Sequence, residues 1–131
     1  LLHDLAGIAE MCYQTDYSST VEALIERETL GPTGVGSGIA LPHARLDKLN
    51  HVVGAFILLE SPVEFEAIDK QPVDIVFSLF APKTAGVDHL KALALVSRTL
   101  REQNIVAKLR SNPDPVTLYT ILTEPDNVQA A

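Results

Sequence analysis

A single cysteine, Cys12, stands among the 131 residues, so no intramolecular disulfide can staple the fold. Such usage suits a reducing compartment and points to the cytoplasm. Basic side chains are scarce as well. Ten lysines and arginines against 17 aspartates and glutamates leave a net charge of −7, and no lysine/arginine run occurs anywhere. Nucleic acid and anionic membrane surfaces both call for a positive footprint, so neither is an expected partner. An acidic surface serves solubility and would also suit a basic protein partner. The longest uninterrupted apolar run, Val52 to Leu59, falls well short of the ~20 residues that a membrane-spanning helix needs. No insertion into a membrane is expected. Internal repeats and low-complexity tracts are missing, and no signal-peptide pattern opens the chain, which starts at Leu1 inside an amphipathic segment. These absences leave one domain over 1–131, long enough to bury about two-thirds of its unfolded surface without staples.

Glycine, by contrast, is concentrated. Four of the seven glycines (Gly31, Gly34, Gly36 and Gly38) fall within eight residues, and Ile39-Ala40-Leu41, Pro42, His43 and Arg45 follow. Pro42 has a fixed φ and pushes Leu41 towards extended torsions, so His43 follows a stiff element. One reading is a tight turn between a helix and a strand, with a partly buried histidine. The other is a loop rich in backbone donors beside an imidazole. Several specific chemistries are excluded. No Gly-Lys-Ser/Thr follows the glycines, so this is not a Walker A loop; G-x-G-x-G placed after a helix fails the dinucleotide fingerprint. His43, His51 and His89 lack the cysteines or close-spaced partners of a zinc site, and Ser37 has no nucleophile-elbow context. The remaining chemistry is an anion beside a nucleophilic histidine, with Arg27 and Arg45 near. Neutral imidazole is available at pH 7 because its unperturbed pKa is about 6.5, and guanidinium groups and backbone nests bind phosphate oxygens.

Leu1, Leu5, Ile8 and Cys12 recur at helical spacing and predict a helix to about residue 13, with Cys12 a small buried residue on its stripe. Ser19-Thr20-Val21-Glu22 has capping-box spacing and predicts a second helix, buried through Val21, Leu24 and Ile25 and stopped at Gly31. Arg27 then lies in its last turn. There it either favours the helix dipole beside nearby glutamates or faces the glycine loop. Strands are expected at 39–41, at 52–59 (central or covered, being apolar on both faces), at 63–66 as a brief edge, and at 73–81. Asp88 is the expected N-cap of a helix from about His89 to Glu102, in which His89 is in register with Leu93, Val96 and Leu100. Asn104 and Asp114-Pro115 are the expected starts of two further short helices, and residues 125–131 read as a loose polar tail.

Gly38-Ile39-Ala40-Leu41-Pro42-His43 resembles the phosphorylation-site signature of the fructose/mannitol-type (type 2) enzyme IIA domains of the bacterial phosphoenolpyruvate phosphotransferase system. Arg27-Glu28, Thr33-Gly34-Val35-Gly36 and His89-Leu90, the last 46 residues beyond His43, match the same pattern. Phe65 to Asp74 (FEAIDKQPVD) is similar to the nitrogen-regulatory branch, PtsN or enzyme IIA-Ntr.

The resemblance implies a three-layer α/β sandwich with a mixed sheet flanked by helices. It implies that His43 accepts a phosphoryl group from an HPr-like carrier, that Arg27 pairs with the phosphate, and that His89 lines the same pocket. Gly34, Gly36, Ser37 and Gly38 would shape the phosphate pocket, with Ser37 read as capping the turn. No metal or organic cofactor is implied. Implied regulatory partners are potassium-transport components or sensor kinases. A sugar-specific enzyme IIA passing phosphate to a IIB cysteine, and a binding module that has lost phosphotransfer, stand as alternatives. Two departures stand out: Ala44 replaces a frequent glycine, and the strand and turn that precede the first helix in the family are absent from this chain.

Overall fold

The computed structural model describes residues 1–84 and 86–123; the expected tail at 125–131 lies outside the described residues. Among the described residues five helices pack around one mixed five-stranded sheet. The central strand, β5 (Val73–Pro82), is buried along almost its whole length. Along one edge it pairs in parallel with β2 (Ile39–Ala40) and β3 (His43–Leu46). Ile39 faces Ile75 and His43 faces Leu79, so the two short strands keep one register and form a single strand interrupted at Leu41-Pro42. Pro42, which has no N–H, explains the interruption. Along the other edge β5 pairs antiparallel with β4 (Val53–Val63), and β1 (Gly34–Gly36) closes a hairpin onto β2.

Two apolar clusters sandwich the sheet. Leu5, Ala9 and Leu24, from α1 (Leu2–Tyr13) and α2 (Tyr17–Leu30), pack on Val76 and Phe80. On the opposite face Leu100, Val106, Leu109 and Leu118 pack on Ile75, Ile39 and Leu41. They come from α3 (Val87–Thr99) and its end, α4 (Gln103–Ser111) and α5 (Pro115–Thr123). Alternation along β5 delivers Ile75 to one face and Val76 to the other, as the period of a strand requires. The expected three layers are present.

Several local expectations need correction. The first residue of α2 is Tyr17, capped by Asp16, whose carboxylate accepts from the Ser19 N–H at 2.9 Å. That bond outcompetes Ser19 as the cap and turns Thr20 inward, leaving Ile25 45% exposed. Cys12 is exposed too, because α1 buries Leu5, Ala6 and Ala9 instead. The strand from residue 52 does not break at Pro62: β4 runs on to Val63 through a register shift after Leu58, which lets an edge strand carry a proline. Of the two expectations for it, central or covered, the second holds: among the described residues its only partner is β5, while Val53, Ile57 and Leu59 pack on one apolar cluster and Phe56 and Leu58 on the other. Residues 63–66 form no separate strand. Gly86, at φ +58°, is the N-cap of α3, with Asp88 inside the first turn, and Glu102 rather than Asn104 caps α4. Asp114 does cap α5, accepting from the Thr117 N–H at 3.0 Å.

Gly34 shows why glycine is needed in the hairpin. A Cβ there would lie 2.5 Å from the Glu66 carbonyl oxygen and 2.7 Å from the Ala67 Cα. Gly34→Ala should therefore push β1 off the 66–68 segment and cost about 2–3 kcal/mol, read as a lowered urea midpoint. A midpoint equal to that of the wild type would show that the segment yields freely.

Candidate functional site

His43 opens β3, and its position is fixed from beneath. The Pro42 carbonyl accepts from the buried Ser78 hydroxyl at 2.8 Å and from the Leu79 N–H at 3.2 Å. The ring is then held at both nitrogens. Nδ1 lies 2.8 Å from the Leu41 carbonyl oxygen, and the Arg27 Nε–H points at Nε2 over 3.2 Å. A carbonyl can only accept and a guanidinium can only donate, so the two contacts assign the proton to Nδ1 and the lone pair to Nε2. The imidazole is thus held with its Nε2 lone pair facing the Arg27 guanidinium.

Arg27 reaches His43 from the last turn of α2, where its Nη1 donates to the Gly31 carbonyl at 3.0 Å. Of its five N–H donors, these contacts occupy two. Glu28 turns the other way and receives the Thr33 hydroxyl and the Thr33 N–H, which ties the helix end to the start of the hairpin. The dipole-only reading of Arg27 gives way to a contact with the imidazole.

His89, in the first turn of α3, is 5% exposed, and its ring lies 5.4 Å from that of His43, tilted by 47°. Its Nδ1 has no hydrogen-bond partner among the described residues. Burial, then the neighbouring charges of His43 and Arg45, hold its pKa below the usual 6.5. In the unfolded chain His89 gains its proton near pH 6.5, and in the folded protein only at lower pH. The unfolded state therefore binds more protons between those values. His89 contributes stability above 6.5 that is lost as pH falls towards its folded pKa. The urea midpoint of His89→Gln should accordingly fall less steeply than the wild-type midpoint between about pH 7 and pH 5. Parallel slopes would remove His89 as the source.

Two open cavities meet at His43 and Arg27. The smaller, of about 370 Å³, is lined by Glu26, Leu30, Ala44, Arg45 and His89 among others. The larger, of about 550 Å³, runs between the hairpin and α3 past Val35, Leu41, Leu90, Ala94, Arg98 and Arg101. Arg45 lies on the same strand, and its Nη1 donates to the Lys83 carbonyl at 3.2 Å. Ala44 is buried and free of positive φ, so it continues β3 without needing the backbone freedom of glycine.

The structure does not bring Gly34, Gly36, Ser37 and Gly38 to His43. These residues line neither cavity; Thr33 and Val35, their neighbours, do. The Ser37 N–H donates to Asp69 at 3.0 Å, and the Ser37 carbonyl accepts from Arg110, which also forks onto Asp74. Backbone N–H donation from Ser37 and Gln71 holds the Asp69 carboxyl below its ordinary pKa. Gly38 has φ +80°, and a Cβ there would lie 2.7 Å from the Arg110 guanidinium. The loop is a braced hairpin that carries Val35 to the cleft. Sequence reasoning missed Arg98 and Arg101; the spacing of Arg98 from Leu90 and Ala94 on α3, with Arg101 just past its end, was the available signal. Among the described residues no three His, Cys, Asp or Glu side chains converge as metal ligands would, and no helix is long and apolar enough to cross a membrane.

Comparison with known proteins gives consistent relatives. The nitrogen regulatory protein of Bradyrhizobium diazoefficiens is 46% identical over 124 residues, covering 95% of this chain and 81% of that protein. The nitrogen regulatory protein of Klebsiella oxytoca is 43% identical over 104 residues, 79% of this chain but 64% of its own length. This chain therefore spans less than two-thirds of the Klebsiella relative. The crystal structure of nitrogen regulatory protein IIA-Ntr from Neisseria meningitidis superposes with a TM-score of 0.86 at 31% identity, over 93% of this chain and 84% of that one. Residues 5–124 match the phosphoenolpyruvate-dependent sugar phosphotransferase system EIIA 2 family, and the chain belongs to that family.

Proposed function

We propose that this chain is a cytoplasmic phosphohistidine carrier in which Nε2 of His43 accepts a phosphoryl group from an HPr-like protein. The observation that carries the reading is the two-sided hold on the ring, with the Leu41 carbonyl accepting from Nδ1–H and Arg27 facing the Nε2 lone pair. In the transfer the Nε2 lone pair forms the new N–P bond. The donor's N–P bond breaks with its electron pair returning to the donor imidazole. Nδ1 keeps its proton on the Leu41 carbonyl, so His43 needs no base. Phosphoryl transfer asks a protein chiefly for positioning and charge stabilisation, and Arg27 supplies the charge. His89 borders the same cavity in its neutral form. Gly34, Gly36, Ser37 and Gly38 act indirectly, by bracing the hairpin.

The names of the Bradyrhizobium, Klebsiella and Neisseria relatives favour nitrogen-linked regulation as the output, with phosphorylation state tuning contacts to targets such as potassium-transport components or sensor kinases. The test is incubation with phosphoenolpyruvate, enzyme I and the HPr-like carrier. Acid-labile, base-stable phosphate mapped to His43 is expected. An unlabelled protein, or label on another residue, would sink the reading. Onward transfer to a IIB cysteine would move the protein to the sugar-transport branch.

A further inference from the structure

The smaller cavity beside His43 holds a carboxylate that the transfer described above does not use. Ala23, Glu26, Arg27 and Leu30 all line it, and they recur along α2 at i, i+3, i+4 and i+7. One face of the helix therefore presents Glu26 beside Arg27. Other acidic groups of this segment are engaged: Asp16 accepts from the Ser19 N–H and Glu28 from the Thr33 hydroxyl. Glu26 is exposed, and among the described residues its carboxylate has neither a hydrogen bond nor an ion pair. It is also the one carboxylate among the described residues lining this cavity, whose other ionisable members are Arg27, His43, Arg45 and His89. At about 370 Å³ the cavity has room for a phosphoryl group with water beside it, since a water takes only about 30 Å³. The ring is prepared as well. With Nδ1–H held on the Leu41 carbonyl, a phosphoryl group on Nε2 leaves behind a neutral imidazole and needs no proton to depart. All that hydrolysis then requires is a base for the attacking water, a task suited to a carboxylate.

We propose that the protein hydrolyses its own phosphohistidine, with Glu26 as the general base that activates water. The inference rests on the function proposed above and adds a second fate for the phosphoryl group, which gives the phosphorylated state a built-in lifetime. Water attacks phosphorus on the side opposite Nε2. The P–O bond forms as the N–P bond breaks, and the N–P electron pair returns to Nε2. The water's proton passes to the Glu26 carboxylate and on to solvent, and orthophosphate leaves. Arg27 and Arg45, on the same cavity wall, offset the charge on the phosphate oxygens. His89 also lines the cavity, but it is 5% exposed, whereas Glu26 stands on the side that water reaches.

The test follows phosphate loss from phosphorylated protein freed of carrier and enzyme I, in mildly alkaline buffer. The folded protein should release orthophosphate, and the same phosphoprotein denatured in urea should keep its label. In water enriched in heavy oxygen the released orthophosphate should carry one solvent oxygen. Glu26→Gln should slow the release about 10²-fold, at the lower end of what a positioned base contributes. Glu22→Gln, the same charge change one turn earlier and outside the cavity, should decay as the wild type does. Added formate should speed release from Glu26→Ala, because the open cavity admits an external carboxylate. A residue that only shaped the pocket would show no such rescue. Glu26 is exposed, and a far-UV spectrum verifies the fold of each variant. Release from Glu26→Gln at the wild-type rate, or a Glu26→Ala variant deaf to formate, overturns the role of Glu26 and leaves His43 standing as acceptor. A wild type that takes no label on His43 from the carrier overturns both.

Discussion

His43→Gln should accept no phosphate, either from the phosphorylated carrier or from a small donor such as phosphoramidate, while remaining folded. Glutamine approximates the reach of the imidazole and its amide can still donate to the Leu41 carbonyl, but it has no basic nitrogen to attack phosphorus. His43 is half-buried at the start of β3, and the contacts that fix the strand (Ser78 and Leu79 on the Pro42 carbonyl) involve none of its side-chain atoms. A stability change within about 1 kcal/mol is therefore expected. The small donor matters because it needs no docking surface, so its failure to label would locate the loss at the nucleophile. The only other imidazole in contact is His89, which is buried and borders the same cavity. Residual labelling of His43→Gln above a few per cent of wild type would point to His89 and remove His43 as the acceptor.

The residues that define the site chemically could be read from the chain, because each stands on a short-range rule. Pro42 stiffens the entry to His43 whatever the fold, and Arg27 lies near Gly31 because a helix must stop at such a residue. The registers of β2, β3 and β5 could not be read, since no local pattern says that Leu41-Pro42 interrupts one strand instead of ending it. The glycine cluster misled in a specific way. Freedom of φ suggests backbone donors aimed at a ligand, but Gly34 is there to let the Ala67 backbone approach, and Gly38 to clear Arg110. Both partners are remote in sequence, at separations of 33 and 72 residues, so only tertiary packing reveals them. Periodicity likewise gave α3 an apolar face without saying which part the core would take. Leu93, Val96 and Leu100 went inward, whereas Leu90 was left to the cleft. Local capping chemistry carried the helix starts only where one carboxylate had no competitor. Asp114 held α5, whereas Asp16 displaced Ser19 on α2.

Arg27→Ala should slow transfer to His43 by about 10²–10³-fold, the usual consequence of removing a positioned donor from developing charge, equivalent to about 3–4 kcal/mol. Its contacts explain why the effect should fall on the chemical step. Nε already points at Nε2, the atom that forms the new bond, so a phosphoryl group arriving there comes up against the guanidinium. Anchorage of Nη1 on the Gly31 carbonyl leaves three N–H groups for phosphate oxygens without loss of the side chain's placement. Arg27→Lys separates geometry from charge. Lysine keeps the cation but has neither the planar fork nor a donor at the Nε position, so it should recover no more than about tenfold of the loss. Because the side chain anchors to the backbone carbonyl of Gly31, its removal also frees the end of α2, and the unfolding midpoint has to be measured beside the rate. Single-turnover rates at saturating phosphorylated carrier decide the matter. A lysine variant at the wild-type rate would reduce Arg27 to a point charge. An alanine variant slowed only through KM would move it from the reacting phosphate to binding of the carrier.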